Sequence, residues 1–383
     1  MFGRTGSSKK IIVVADIGSG SAGVVLLIVH PTGPATVVAS SRTTLPFEER
    51  NEDATIKGVI ASLADASTKA LALYASSAYK DVRITSVYAV IRAPWTRSKT
   101  ARGVSKLEKE MRITDAMIGS LAKQAIAAET DLDRNRLIES AVVRVELNGY
   151  ATGSPVGKTA HSLSVIALLS DCNATIRAGV EETLMRTFPH TKPVLRSGAR
   201  ALISAVRVFP DIGKDYVILD MESEATTILV VRDGLATEHA IVPEGVRSIL
   251  KRISEKSMPE ETLSLMRMVE NEECNDETCK IINESVARVE IDLARVYGEG
   301  LTRLATPERL PIDLILIVDA ALSPWLTKFF SRIDFTQCTL TAQPFSVQQL
   351  DLKNLAHAVV AEGATTDTGL SIASALVNTE EQS

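Results

Sequence analysis

The chain has 383 residues, 45% of them hydrophobic and 23% charged, with a net charge of −5. This is ordinary globular material, long enough for two or more domains with cores of their own. An acidic balance without a basic cluster interleaved with aromatics excludes nucleic acid as a partner, because a phosphate backbone demands a basic face.

In chain order, the first ten residues carry Arg4, Lys9 and Lys10 and run into a strand with no small-residue cleavage site, so they read as a basic arm rather than a secretory signal. Next comes "VVADIGSGSAGVVLLIV", Val13 to Val29. Two apolar, β-branched runs flank a turn of Gly18, Ser19, Gly20 and Ser21, which is the pattern of a β-hairpin. Glycines let backbone N–H groups converge on one concavity suited to phosphate oxygens, and Asp16 at the strand end is placed to hold a hydrated Mg²⁺. Ala35 to Thr44 supplies a third strand, Ile56 to Ala75 a helix, and Ile84 to Ile91 a fourth strand. The segment "RAPWTRSK" then leaves this unit, since Pro94 disfavours helix at Ala93.

From Thr96 to Ser170 the pattern changes to a strand near Val104, a helix with Ile113, Met117, Leu121, Ala125 and Ile126 on one side, and strands at Ala141 to Leu147 and Leu163 to Leu169. This predicts a small α+β module inserted into the first domain. Asp171 is expected to cap a helix to about Thr187, and Ser197 to Phe209 to form another. A second hairpin follows in "YVILDMESEATTILVVRDG", Tyr216 to Gly234. When Asp16 is laid on Asp220, the second apolar run starts at the same offset, Val24 in one copy and Ile228 in the other. Such a repeat predicts two similar α/β halves facing each other across a cleft, with one hairpin from each. Beyond it lie a helix from Gly245 to Ile253, a long helix from Asp276 to about Leu304 ended by Pro307, the buried strand "IDLILIV", and a helix with Ser323 as cap and Pro324 at its first position. No run approaches the roughly 20 apolar residues of a membrane span. Cys172, Cys274, Cys279 and Cys338 include one C-x₄-C pair with no nearby histidine, and are expected to be reduced cytosolic thiols.

These residues resemble the actin-like ATPase superfamily, specifically its bacterial division actin (FtsA) and pilus-assembly (PilM) branch. "DIGSGSAGVVLL" matches the first phosphate loop, the second hairpin stands at the second phosphate loop, "PEGVRSIL" resembles the following Pro-x-Gly-Gly segment, and "LILIVDAALSPWL" lies at the adenosine loop. The module occupies the place of the extra subdomain of FtsA and PilM, of SHS2 type, and its "VELNGYATGSPVGK" loop looks more like FtsA.

The resemblance implies two actin-like (ribonuclease H-like) halves of an α/β fold around a cleft, with a small α+β inserted subdomain. The expected division is 1–95 with 171–213, the insert 96–170, then 214–243 with 308–383, and a helical part 244–307. It implies ATP and Mg²⁺ as the ligands to consider, held by Asp16, Gly18, Ser19, Gly20, Ser21, Asp220, Thr226, Thr227 and Gly245, with Asp16 and Asp220 on the metal through water.

The departures from the pattern point the other way. Glu222 and Glu224 replace loop glycines. At about 5 Å and an effective dielectric of about 20, one carboxylate opposes a unit of phosphate charge by roughly 3 kcal/mol. That weakens binding on the order of a hundredfold. Ala320 and Ala321 replace an adenosine-loop glycine pair, and Arg196 stands where an acidic residue precedes the helix, so no catalytic residue is assigned.

The expected function is an FtsA-like cytoplasmic scaffold in bacterial division with weak or lost nucleotide binding. The alternatives are a PilM-like pilus-assembly protein and an active actin-like ATPase. Partners implied by the resemblance are an FtsZ-like polymer or the tail of an inner-membrane protein, with self-association. The segment "DTGLSIASALVN" lacks a basic face and reads as a core helix rather than a membrane anchor.

Overall fold

The computed structural model describes residues 10–48, 50–207, 209, 212–254, 259–270, 273, 277–306 and 308–382. Arg4, Lys9, Cys274, Asp276 and Pro307, named above, lie outside them.

The first half begins with β1 (Ile11–Ile17), β2 (Ser21–Ile28) and β3 (Ala35–Thr44), an antiparallel meander, followed by α1 (Glu52–Ala75) and β4 (Ile84–Ile91). Asn51 caps α1 by accepting from the Ala54 N–H at 2.8 Å. The inserted module contains β5 (Thr96–Arg112), α2 (Asp115–Ala128), β6 (Leu137–Leu147), β7 (Tyr150–Ala151) and β8 (Thr159–Cys172), and its four strands form an antiparallel sheet in the order β5-β8-β6-β7. Its core of Ile113, Leu121, Val145, Leu163 and Val165 is separate from those of the halves.

The chain returns to the first sheet through α3 (Ala174–Thr187), β9 (Val194–Ser197) and α4 (Gly198–Arg207). The second half is built of β10 (Tyr216–Met221), β11 (Thr226–Arg232), β12 (Leu235–Val242), α5 (Val246–Ser254), α6 (Pro259–Glu270), α7 (Glu277–Leu304), β13 (Asp313–Ile317), α8 (Ser323–Arg332) and β14 (Ser346–Gln349). Finally β15 (Val359–Ala361) and α9 (Thr368–Glu381) go back to the first half.

The repeat is visible in the topology. The first sheet runs β15-β3-β2-β1-β4-β9 and the second β12-β11-β10-β13-β14. In both, an antiparallel three-strand meander continues into two parallel strands, so β1 corresponds to β10 and β4 to β13. Alternation of side chains then decides what faces what. Ile12 and Val14 of β1, Tyr88 and Val90 of β4, and Tyr216 and Ile218 of β10 share one core between the two sheets. Ile11, Val13, Ala15 and Ile17 turn to the opposite core with α1 and α3, and Val217, Leu219 and Met221 to the core with α5, α7 and α8. Asp16, Arg92 and Asp220 continue the shared-core series by two residues each, so all three arrive at the strand ends where the halves meet.

Several local expectations are corrected. Asp171 does not cap a helix: it is still in β8, opposite Arg97, which holds it at 2.5 Å, and Asn173 caps α3 instead. With Arg97 paired across to Asp171, the strand runs three residues further than the Leu169 end expected from the apolar pattern. Ser323 is the first residue of α8 and not its cap. The turn is already wound from Asp319, whose carbonyl accepts from the N–H groups of Leu322 and Ser323 at 3.0 and 3.1 Å. Ser197 ends β9, and α4 stops at Arg207 rather than Phe209. Residues 359–381, expected with the second half, instead add β15 to the edge of the first sheet and lay α9 against α4, β1 and β2, with Leu370, Ile372, Ala373, Leu376 and Val377 in the shared core. Cys279 is disulfide-bonded, while Cys172 and Cys338 are free and buried. A C-x₄-C spacing carries no local sign of whether a sulfur is paired, because tertiary geometry decides it. Among the described residues no helix is long and apolar enough to cross a membrane.

Candidate functional site between the two hairpins

The two hairpin turns meet face to face at the top of the shared core. The β1–β2 turn is closed by the Gly18 N–H donating to the Ser21 carbonyl at 3.0 Å, and the β10–β11 turn by the Glu222 N–H donating to the Ala225 carbonyl at 2.9 Å. The turns are in contact. The Glu224 N–H donates to the Ser19 hydroxyl at 3.0 Å, and Ser19 is fully buried. A Cβ on Gly18 would lie 2.2 Å from Glu222 Oε2, and one on Gly20 2.5 Å from Ser223 Cβ. Both turn glycines are therefore needed for close approach, but what approaches them is the opposite turn.

Behind the turns lies a buried charge cluster. The ladder between β1 and β4 continues past Ile91, with the Arg92 N–H donating to the Ile17 carbonyl at 3.0 Å, which delivers the Arg92 guanidinium to the gap between the aspartates. It contacts Asp220 at 2.5 Å, Glu222 at 2.6 Å and Asp16 at 3.8 Å. Asp16 is held more closely by Arg42 from β3, at 2.7 Å, and Arg42 also pairs with Asp367 at 2.7 Å and donates to the Ser21 hydroxyl at 2.8 Å. Asp367 in turn caps α9 by accepting from the Leu370 N–H. Gly369, at the start of that helix, closes over the cluster: a Cβ there would lie 2.5 Å from Asp16 Oδ2.

The electrostatics follow from burial. Burial opposes the charge on Arg92, but Asp220, Glu222 and Asp16 outweigh it and hold its pKa above the ordinary arginine value. Arg42 behaves likewise through Asp16 and Asp367. Burial pushes the Asp220 carboxyl up, opposed by Arg92 and reinforced by Asp16. Burial also pushes Glu222 up to about 7, Arg92 opposing and Asp220 and Asp16 adding to the rise. Asp220 Oδ2 is buried without a hydrogen-bond partner.

Of the residues assigned from sequence, Asp16, Gly18, Ser19, Gly20, Ser21 and Asp220 come together here. Thr226 does not face the gap, whereas Thr227 shares the face of Asp220. Thr226 is fully buried and donates to the Glu244 carbonyl at 2.6 Å, with the Tyr297 hydroxyl 2.8 Å away, and Thr227 lies opposite Asp220 in the ladder. Gly245 packs on the back of the second turn, where a Cβ would lie 2.4 Å from the Ser223 carbonyl oxygen. The two glutamates differ. Glu222 enters the cluster, whereas Glu224 turns out to a bidentate pair with Arg247 at 2.5 and 2.6 Å. Each is thus paired with an arginine, which replaces the expectation of two unpaired repelling charges. Arg196 binds Glu380 of α9 at 2.9 Å. Sequence reasoning missed Arg92, Arg42, Asp367 and Gly369. The available signal was Arg92 as the first charge after a buried parallel strand, at a strand end where α/β sheets place ligands.

The cleft opens to a cavity of about 790 Å³ whose lining includes Gly20, Arg92, Asp220 and Glu222 of the turns and cluster together with Arg247 and Asp319. The space for a phosphate chain over the first turn is different, because the Glu222 carboxylate fills it. A phosphate oxygen and that carboxylate cannot share the space over Gly18, and the aspartates that would hold a metal are bridged by Arg92. The residues present do not fit a metal–phosphate group in this arrangement. Among the described residues no group of three or more His, Cys, Asp or Glu side chains is placed to hold a metal ion.

Against solved structures, the chain is similar to one from a PilM–PilN type IV pilus biogenesis complex, at 12% identity, with 97% of this chain and 98% of that one covered and a TM-score of 0.61. This chain has the actin-like ATPase fold. The ethanolamine utilization protein EutJ from Carboxydothermus hydrogenoformans is a further neighbour, at 13% identity, covering 95% and 89% of the two chains with a TM-score of 0.44. No protein-family model and no curated protein sequence matches the chain. Within the actin-like fold the two hairpins occupy corresponding positions in the two halves, and in this chain they close on each other through side chains.

Proposed function

We propose that the protein is an actin-fold scaffold that docks other proteins and does not run on nucleotide. The observation that carries this reading is Glu222 seated on Gly18 and paired with Arg92, which fills the phosphate space with the chain's own atoms. The inserted module supports a docking role. It bridges the halves: the Ser98 N–H donates to His239 Nδ1 at 3.0 Å, Thr100 donates to the Ala236 carbonyl at 2.6 Å, and Arg144 pairs with Asp233. It therefore forms a rigid third body with a surface of its own.

Between the two scaffold readings, the pilus-assembly type is the better supported. The segment "DTGLSIASALVN" is a buried core helix, unlike the amphipathic helix with which FtsA binds membrane, and the PilM likeness spans nearly the whole chain. On this reading the partner is the tail of an inner-membrane assembly protein and the place of action is the inner face of that membrane. An FtsA-like division role is the alternative, and the neighbouring genes discriminate between them. The open outer cavity favours one further reading, an active ATPase. Calorimetric titration of ATP with Mg²⁺ into the wild-type protein decides against or for it. The scaffold reading expects no saturable binding in the micromolar range, and micromolar binding with turnover overturns it.

A further inference from the structure

We propose that Arg92 and Glu222 form a built-in surrogate for a divalent metal and its phosphate, clasping the two halves together without a ligand. The inference rests on the reading that the phosphate space is self-filled and goes on to say what fills it and in which role. Three observations carry it.

The first is position. The guanidinium lies between Asp16 and Asp220, equivalent residues of the two repeats and the pair to which the sequence assigns a metal. It belongs to the first half and its shortest contacts, to Asp220 and Glu222, are with the second. A cation shared by carboxylates of both halves is what a bridging metal would supply. The second is the anion. Glu222 Oε2 comes within 2.2 Å of a Cβ position on Gly18 and Oε1 is 2.6 Å from Arg92, so the carboxylate sits on the phosphate-binding turn and against the cation together, as a metal-bound phosphate oxygen would. Its backbone is fixed for this by the Val246 N–H, which donates to the Glu222 carbonyl at 2.9 Å.

The third is closure. Gly369 covers the Asp16 side and Ser223 covers Gly20, so the chain itself closes those two sides, while Arg92, Asp220 and Glu222 still line the edge of the open cavity. One trace of the substitution remains in the unpartnered Asp220 Oδ2: a guanidinium that already meets Glu222 satisfies one oxygen of that carboxylate and leaves the other bare.

The surrogate predicts rescue by the groups it replaces. Arg92→Ala frees Asp220 and leaves Asp16 paired with Arg42 alone. Millimolar Mg²⁺ is expected to raise the melting temperature of that variant by about 2 °C, the response to a ligand in roughly tenfold excess over its Kd. The wild type and Arg92→Lys, which keep a cation in place, are expected not to respond. If Arg92→Ala does not fold in metal-free buffer, recovery on refolding with Mg²⁺ but not with NaCl of equal ionic strength is the same result. Failure in both, while the wild type refolds, overturns the proposal. So does a Mg²⁺ response of Arg92→Lys as large as that of Arg92→Ala.

The phosphate half is tested by titrating ATP with Mg²⁺ into the Arg92→Ala, Glu222→Gly double variant. It is expected to bind at least about a hundredfold more tightly than the wild type, the factor matching removal of one opposed charge. Affinity equal to wild type overturns that half. Micromolar ATP binding by the wild type would instead strike the nucleotide-independent scaffold reading, whereas a metal-insensitive Arg92→Ala strikes the surrogate alone.

Discussion

Glu222→Gln separates the ionisation of the clasp from its shape. In the folded chain the Glu222 carboxyl is pushed from 4.5 to about 7, by burial first, with Asp220 and Asp16 adding and Arg92 and Arg42 opposing. A raised carboxyl pKa means that, between the two values, the native chain holds a proton that the unfolded chain has released. Its contribution to stability is therefore complete below about 4.5 and is lost as pH rises through about 7. The interval of about 2.5 pH units corresponds to roughly 3 kcal/mol. Glutamine keeps the side-chain volume and an oxygen to accept from Arg92, and has no proton to lose. Urea unfolding of both proteins between pH 4.5 and 8 should show the wild type losing about 3 kcal/mol relative to the variant across that window and a constant difference above it. Because the measurement is a difference, titrations elsewhere in the chain cancel to first order. Asp220, also raised, acts in the same direction in both proteins. A difference that is flat from pH 4.5 to 8 would refute the burial of an ionisable Glu222 against Gly18. The same flat result is what a carboxylate held charged by Arg92 throughout the window would give.

Two further outcomes follow from the same geometry. Gly18→Ala places a methyl against the Glu222 carboxylate and is expected to cost about 1–3 kcal/mol in chemical denaturation, as overpacking does, with most of the loss recovered in Gly18→Ala, Glu222→Gly. An unchanged midpoint in the single variant would show that the turns do not touch. His239, on the part of β12 that packs against the module with Nδ1 on the Ser98 backbone, is held down to about 4, by burial first. It stabilises the fold above its unfolded value of 6.5, and that stability is lost as pH falls toward 4. An imidazole NMR titration should show it neutral at pH 5.5, and an ordinary midpoint near 6.5 would remove the tight module–β12 contact.

Much of the fold was legible in the sequence because it is written in short periods. The apolar alternation of β1, β2, β10 and β11, the matched aspartates and the equal offsets to Val24 and Ile228 reflect local chain geometry, and they located both hairpins and the twofold repeat. The inserted module was legible as a change of pattern. Caps and strand ends were less so, because Asn173 and Asp171 offer similar local chemistry and only the cross-strand Arg97 decides between them.

The sequence by itself determined that two Asp-headed turns exist and that each ends a strand whose alternate residues are buried. Only the tertiary structure decided what lies between the turns. Arg92, Arg42 and Gly369 come from three separate segments that meet only once β4, β3 and α9 are packed, and nothing local to "RAPWTRSK" says that its first residue will lie among three carboxylates. The direction of Glu222 and Glu224 was equally undetermined. Two residues apart in one turn, one goes inward to Arg92 and the other outward to Arg247, because a buried charge follows whichever partner the fold brings within reach.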